Sequence, residues 1–193
     1  MKQPKNILIV GVGGQGILLA SELLSEAAME AGYDVKKSEV HGMAQRGGVV
    51  SSHVRMGEKI FSPLIKEGTA DVLLAFEIAE ALRWNYFVKS EGTAVVNSLK
   101  LVPPIALFKG FQYPMDPIRL IKERSKNVRI IEAARLANEL GNSRTANIIL
   151  VGAISKLLPI PESIWKEIIF KRVPRGTEEI NLKAFQTGRK ESL

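Results

Sequence analysis

The spacing of apolar and polar residues over the first forty positions predicts a strand, a helix and a second strand. A continuous apolar run at Asn6–Val10 ends directly at a glycine, which is typical of a buried strand. From residue 17 to residue 31 apolar side chains share one helical face, and Gly32 marks the end of that helix. Tyr33–Val40 is predicted as the second strand. Together they predict a right-handed βαβ unit and therefore a parallel sheet.

The remaining pattern continues this alternation and then becomes mostly helical. Further strands are predicted at Val49–Met56, Asp71–Phe76, Thr93–Asn97 and Val128–Ile131. Helices are predicted at Glu77–Trp84, Glu132–Leu140, Thr145–Leu158, Pro161–Phe170 and Glu178–Thr187. A hairpin turn at Met56–Lys59 is expected to lead to a short strand at Ile60 and Phe61. The four prolines of Leu101–Pro117 make that stretch the least regular.

The predicted fold class is α/β: a Rossmann-like three-layer sandwich with a mostly parallel sheet, a hairpin insertion and a C-terminal helical cap. We expect residues 1–193 to form one domain. The helix at Thr145–Leu158 is apolar on nearly every side and must be covered all round. We therefore expect it at or near a subunit contact, and we expect the isolated chain to self-associate. The alternative is full burial of this helix inside one chain.

Composition narrows the chemistry that the chain can carry. None of its 193 residues is cysteine, which excludes disulfides, thiolate nucleophiles and iron–sulfur ligation, and which fits a reducing, cytoplasmic setting. The net charge is +7, and the basic residues are densest near the carboxyl end. Aromatic residues make up only 6% and do not alternate with basic clusters, so nucleic acid binding is not expected. No stretch approaches the roughly 20 apolar residues of a membrane span.

A glycine turn between the first strand and the first helix is the first motif with chemical meaning. Its residues are Gly11, Gly13, Gly14, Gln15 and Gly16. This placement is that of the dinucleotide fingerprint, in which backbone N–H groups and a helix N-terminus approach a phosphate. Glu39, near the end of the second strand, could then accept a ribose hydroxyl. The alternative is a turn kept only for packing; a P-loop is excluded, because no lysine follows the last glycine.

The second motif is a glycine-rich loop that follows the second strand. His41 could act as an acid or a base near neutral pH, and Arg46 could hold a carboxylate or phosphate through two parallel hydrogen bonds. Gln45, Gly47 and Gly48 complete the loop, whose glycine N–H groups can turn toward an anion. The alternative is a surface loop with a solvated arginine.

The third motif is a polar strand segment. Strand alternation places Ser51, His53 and Arg55 on one face, where two side chains could be cationic. The alternative is a hydrogen-bonded strand edge. We find no nucleophile triad, no H-E-x-x-H metal helix and no paired carboxylates at catalytic spacing.

Several stretches that together span nearly the whole chain resemble one known family. They are GVGGQGILLAS at 11–21, EVHGMAQRGGVVSSHVRMGEKIFSPLI at 39–65, ADVLLAFEIAEAL at 70–82, ELGNSRTANIILVGAISKLLPIP at 139–161, KRVP at 171–174 and NLKAF at 181–185. They resemble the beta subunit of indolepyruvate ferredoxin oxidoreductase, and HGMAQRGG is the specific part. More distantly, they are similar to the gamma domain of pyruvate:ferredoxin oxidoreductase. Ser143 stands where this resemblance leads us to expect proline, and serine is itself a good helix N-cap.

The resemblance implies an activity, a partner and a set of site residues. The implied reaction converts an arylpyruvate, coenzyme A and oxidised ferredoxin to aryl-acetyl-CoA, carbon dioxide and reduced ferredoxin. Thiamine diphosphate, magnesium and iron–sulfur clusters would belong to a larger partner subunit. This chain alone would bind no cofactor and no metal. It would be active only together with the larger subunit. The residues that match the family's motifs are His41 and Arg46 as catalytic candidates, and Gly11, Gly13, Gly14, Gln15, Gly16, Gln45, Gly47, Gly48, His53 and Arg55 as cofactor-binding candidates.

Three alternative functions remain open at this point. The chain could be the gamma subunit for another 2-oxoacid, such as pyruvate, 2-oxoglutarate or a branched-chain 2-oxoacid. It could be an autonomous NAD-dependent oxidoreductase, although it is short for both a cofactor domain and a substrate domain. It could also be a stand-alone module that binds a nucleotide or a flavin.

Overall fold

The computed structural model describes residues 3–41, 48–101 and 113–191, and within them six strands form one sheet. In chain order the strands are β1 (Lys5–Val12), β2 (Asp34–His41), β3 (Val49–Gly57), β4 (Ala70–Ala75), β5 (Val88–Asn97) and β6 (Asn127–Ile131). Their spatial order is β2-β3-β1-β4-β5-β6. The strands β1, β4, β5 and β6 pair in parallel, whereas β3 is antiparallel to both β1 and β2. The prediction of a mostly parallel sheet is confirmed.

Helices cover both faces of this sheet. In the described residues they are α1 (Ile17–Glu30), α2 (Ile78–Trp84), α3 (Pro117–Arg124), α4 (Ala133–Glu139), α5 (Ala146–Ser155), α6 (Glu162–Arg172) and α7 (Glu178–Glu191). Because side chains alternate along a strand, Leu8 and Val10 of β1 pack with α2 and α3, while Ile7 and Ile9 pack with the other five helices. The three-layer α/β architecture is therefore confirmed.

The sheet differs from a simple series of βαβ units because it contains the antiparallel pair β2–β3. The helix α1 connects β1 to β2 as predicted, but β3 lies between these two strands. β3 is buried along most of its length and takes the inner position, whereas β2 carries the exposed Lys36 and Lys37 and forms the edge. The prediction of a short strand at Ile60 and Phe61 is wrong. Asp34 Oδ2 accepts the Ile60 N–H at 2.7 Å, so this stretch packs against the end of β2 without forming a strand.

The apolar helix α5 is buried inside the chain. Residues 148–155 are all buried, and α7 covers them at a crossing made by Gly152 and Gly188. A Cβ at Gly188 would lie 1.8 Å from the Ile149 carbonyl oxygen, so the two helix backbones are in direct contact. The alternative of full burial inside one chain therefore accounts for this helix, because α7 is longer than predicted and supplies the cover, and the expected subunit contact near it stays a prediction.

A membrane-spanning helix is not found among the described residues, where no helix combines the necessary length with the necessary apolar character.

Candidate functional site

The glycine turn adopts the tight conformation that its sequence predicts. Gly16, which precedes α1, has φ +83°, and a Cβ there would lie 2.6 Å from Asn147 Nδ2 of α5. A Cβ at Gly11 would lie 2.8 Å from the Cβ of Phe76, which follows β4. Glycine at these positions therefore allows the turn to approach both α5 and the end of β4.

Gln15 fixes the shape of this turn through both ends of its amide. Its Oε1 accepts the Val12 N–H at 2.7 Å, and its Nε2 donates to the Phe76 carbonyl at 3.3 Å. A third bond, from Gly13 N–H to the Gly48 carbonyl at 2.8 Å, joins the turn to the end of the glycine-rich loop. The turn is thus held against β4 on one side and against the start of β3 on the other.

A cleft of about 350 Å³ opens at the carboxyl ends of β1, β4 and β5. It lies where the connections change sides, because α1 follows β1 on one face of the sheet and α2 follows β4 on the other. Open α/β sheets bind ligands at such points. The glycine turn forms one wall, Phe76, Leu99 and Leu150 contribute apolar surface, and Arg144 lies at the rim.

The polar groups of this cleft favour an anion. Within the residues described, no carboxylate or other acceptor holds the exposed guanidinium of Arg144. The first N–H groups of α1 add positive potential, since Gly16 before that helix has no side chain to accept them, whereas at the start of α5 the Asn147 side chain accepts the Ile148 N–H at 2.9 Å. The start of α2 is different, because the Glu77 carboxylate accepts the Glu80 N–H at 2.9 Å. The cleft therefore suits an anionic ligand that also has an apolar part.

Arg144 and Asn147 are the site residues that sequence reasoning missed. The Asn142 side chain accepts the Arg144 N–H at 3.0 Å and forms the turn that enters α5. This Asn-x-Arg pattern before an apolar helix was visible in the sequence as a helix start. A cation at a helix N-terminus is unfavourable to the helix dipole, so helix capping does not account for the guanidinium of Arg144.

The glycine-rich loop lies largely outside the described residues. This applies to Gln45, Arg46 and Gly47, and to the side chain of His41, so their predicted roles stay predictions. The backbone of His41 ends β2 opposite Val50, and Gly48 contacts the glycine turn. Both described ends of the loop therefore lie at the same end of the sheet as the cleft, where the parallel strands have their carboxyl ends.

His53 and Arg55 lie away from the cleft and hold another segment. His53 pairs with Leu8 in the middle of the sheet, and its Nδ1 accepts the Ile65 N–H at 3.2 Å. Burial lowers the pKa of this imidazole, which favours the neutral form. Arg55 donates to the Ser62 carbonyl at 2.8 Å. The structure thus gives both residues a packing role, and their role as cofactor-binding residues stays a prediction.

Glu39 is engaged within the fold. Its Oε1 accepts the Ser21 hydroxyl at 2.7 Å and lies 3.0 Å from Lys37 Nζ. Because β3 separates β2 from β1, this carboxylate is two strands away from the glycine turn. The geometry does not bring it to the position where it would accept a ribose hydroxyl.

Metal ligation is not indicated in the part of the chain that the structure describes, which contains no group of three histidine or acidic side chains suited to a metal ion.

Comparison with known proteins places the chain in a family. The family model described as pyruvate ferredoxin/flavodoxin oxidoreductase matches residues 6–191. The chain belongs to this family. Among the relatives in this oxidoreductase family, the indolepyruvate oxidoreductase subunit IorB of Thermococcus kodakarensis is 42% identical over 95% of this chain and 93% of its own length. IorB of Archaeoglobus fulgidus is 36% identical, over 97% and 95%. The 2-oxoglutarate synthase subunit KorC of Methanothermobacter marburgensis is 30% identical, over 96% and 95%.

Solved structures of this oxidoreductase family share the fold. The keto/oxoacid ferredoxin oxidoreductase gamma subunit of Geobacter sulfurreducens has a TM-score of 0.72 and 24% identity, covering 97% of this chain and 98% of that one. The 2-oxoglutarate:ferredoxin oxidoreductase of Magnetococcus marinus, solved with 2-oxoglutarate, coenzyme A and succinyl-CoA, has a TM-score of 0.76 and 23% identity. The match covers all of this chain and 31% of that longer chain.

Proposed function

We propose that this chain, as one gamma-type domain over residues 1–193, is the small subunit of a cytoplasmic indolepyruvate:ferredoxin oxidoreductase. The complex would oxidatively decarboxylate arylpyruvates, transfer the aryl-acetyl group to coenzyme A and pass the electrons to ferredoxin. Relatives named as the IorB subunit, at 34–42% identity over nearly the whole chain, support this assignment. The more distant KorC relatives make 2-oxoglutarate the main alternative substrate.

The cofactors of this reaction would be held by a larger partner subunit, without which the chain is inactive. The chain has no cysteine to ligate an iron–sulfur cluster, and it lacks the Gly-Asp-Gly…Asn pattern that seats magnesium and thiamine diphosphate. Its own residues do not fit these groups. The contribution of the chain would therefore be to complete the active site and to bind an anionic part of a substrate.

The anionic group would be held in the cleft at the carboxyl ends of the strands. Coenzyme A carries phosphates and a 2-oxoacid carries a carboxylate, and neither is buried without cationic or N–H partners. The observation that supports this role best is Arg144, which lies against the helix dipole at the start of α5 and has no acceptor among the described residues. The His41–Gly48 loop would add a second cation, Arg46, to the binding of this anionic group.

The test is steady-state kinetics of the complex reconstituted with its large subunit. Arg144→Ala should raise the Michaelis constant for coenzyme A or for arylpyruvate, but not for both, by roughly tenfold or more, as expected for the loss of a charge-assisted hydrogen bond. The matched control is Arg135→Ala, which removes an exposed arginine already paired with Glu132 and Glu139. Equal kinetics for the two variants would refute the role of the cleft. A preference for 2-oxoglutarate over indolepyruvate in the wild-type complex would favour the alternative substrate.

A further inference from the structure

A second recess lies on the helical side of the molecule. This groove, of about 460 Å³, is formed by the end of α4 together with α6 and α7, and it shares no lining residue with the cleft. The half-buried Leu140 and Leu182 give it an apolar floor. Its rim carries Lys166, Lys183 and Lys190. Lys183 and Lys190 have i, i+7 spacing and therefore project from the same face of α7.

The positive charge of this groove is only partly balanced inside the chain. Lys166 contacts Glu162 at 2.7 Å, and elsewhere in the helical layer Lys171 is similarly paired with Glu167. Lys183 and Lys190 differ, because across residues 3–41, 48–101 and 113–191 neither ammonium group has a carboxylate partner. Two unbalanced cations beside an apolar floor are the features of a surface that recognises an acidic partner.

We propose that this groove binds an acidic segment of the large partner subunit, with an apolar side chain of that segment on the two leucines. The proposal rests on the proposed function, since it requires that a large subunit binds. Charge complementarity is its basis: the chain carries a net charge of +7, and within the described residues Lys183 and Lys190 on the rim have no carboxylate partner. Lysines are flexible point charges, so they suit several carboxylates on a protein surface better than one bidentate phosphate.

An electron-carrier protein is the other acidic occupant to consider, and the chain's composition argues against it. A carrier must dock close to a redox centre to receive electrons. This chain has no cysteine and provides no thiolate-held cluster beneath the groove. The large subunit instead requires a lasting contact, to which an apolar floor contributes.

The experiment compares two charge reversals of equal size in the full chain. Lys183→Glu with Lys190→Glu changes the rim of the groove, and Lys122→Glu with Arg124→Glu makes the same change in net charge at two exposed positions of α3, on the opposite side of the sheet. Association with the large subunit is measured at low and at moderate salt. The groove variant should associate roughly tenfold more slowly at low salt and should lose most of the salt dependence, whereas the control should resemble the wild type.

The remaining outcomes separate the possible failures. If both variants slow association equally, net charge alone is responsible and the groove is not the contact. If assembly is normal but the groove variant raises the Michaelis constant for ferredoxin, the occupant is the electron carrier and the proposal is overturned. If the wild-type chain itself does not bind the large subunit, the proposed function fails together with the inference.

Discussion

A methyl group at position 188 should destabilise the fold, because α7 and α5 cross there without space. A Cβ added to Gly188 would lie 1.8 Å from the Ile149 carbonyl oxygen and 3.0 Å from the Ala153 nitrogen. Both are backbone atoms of α5, so side-chain rotation cannot relieve the overlap. In Gly188→Ala, α7 must withdraw by on the order of 1.5 Å to restore ordinary van der Waals contact.

The size of the effect follows from two opposing terms. Overpacking a core costs about 1–3 kcal/mol, and the upper end applies here because the overlap is with backbone. Alanine in place of glycine inside a helix returns about 1 kcal/mol. The free energy of unfolding should therefore fall by about 2 kcal/mol. It should fall further if the movement of α7 also loosens the packing of the buried Phe185.

Urea unfolding of the full chain, followed by far-ultraviolet circular dichroism and tryptophan fluorescence, measures this change. Trp165 reports directly on the crossing, because its ring lies 6.1 Å from that of Phe185. The matched control is Glu179→Ala, an exposed substitution in the same helix, for which we expect a change within about 0.5 kcal/mol. An unchanged midpoint in Gly188→Ala would show that the helices do not cross as described.

Three further predictions concern the loop, the buried histidine and the cofactor content. In the reconstituted complex, Arg46→Ala should cost about 2–3 kcal/mol in transition-state stabilisation and Arg46→Lys less, with assembly preserved; unchanged kinetics would rule out the role of Arg46. Since burial lowers the pKa of His53 below 6.5, the unfolded chain takes up a proton that the folded chain does not, so the free energy of unfolding should fall as the pH drops below 6.5. Urea titrations at several pH values should show a weaker dependence in His53→Gln. The isolated chain should be colourless, and stoichiometric iron and sulfide in it would contradict the assignment.

The helices and strands with a clear hydrophobic period were predictable from the sequence. The errors arose where tertiary contacts determine the structure. The bounds of helix α1 and of strands β1 and β4 matched the predicted bounds within two residues, because their patterns reflect burial against one sheet. Helix α3 was not predicted, although Asp116, which accepts the Arg119 N–H, and Pro117 at its first position are both start signals. The polar sequence around α3 gave no strong apolar period to support them.

Non-local packing also explains why the roles of α5 and His53 could not be derived from local sequence. A helix that is apolar on all sides must be covered by other parts of the protein. Its hydrophobic pattern does not indicate whether another chain or a later helix of the same chain covers it. Here the cover depends on Gly152 and Gly188, which are far apart in sequence. In the same way His53 shares the strand pattern of a cationic binding face, yet Ile65 and Phe87 enclose it.

The glycine turn shows how one inserted strand changes the meaning of a motif. In the dinucleotide fingerprint, the acidic residue that accepts the ribose ends the strand next to β1. Here β3 takes that place, Glu39 bonds to Ser21 of α1, and the cation that lines the cleft together with the turn is Arg144. The N–H groups and the helix start are preserved, whereas the ribose acceptor is displaced. A turn of this kind therefore still suits a phosphate or a carboxylate, but the rest of the ligand would extend toward α5 and β5 rather than toward β2.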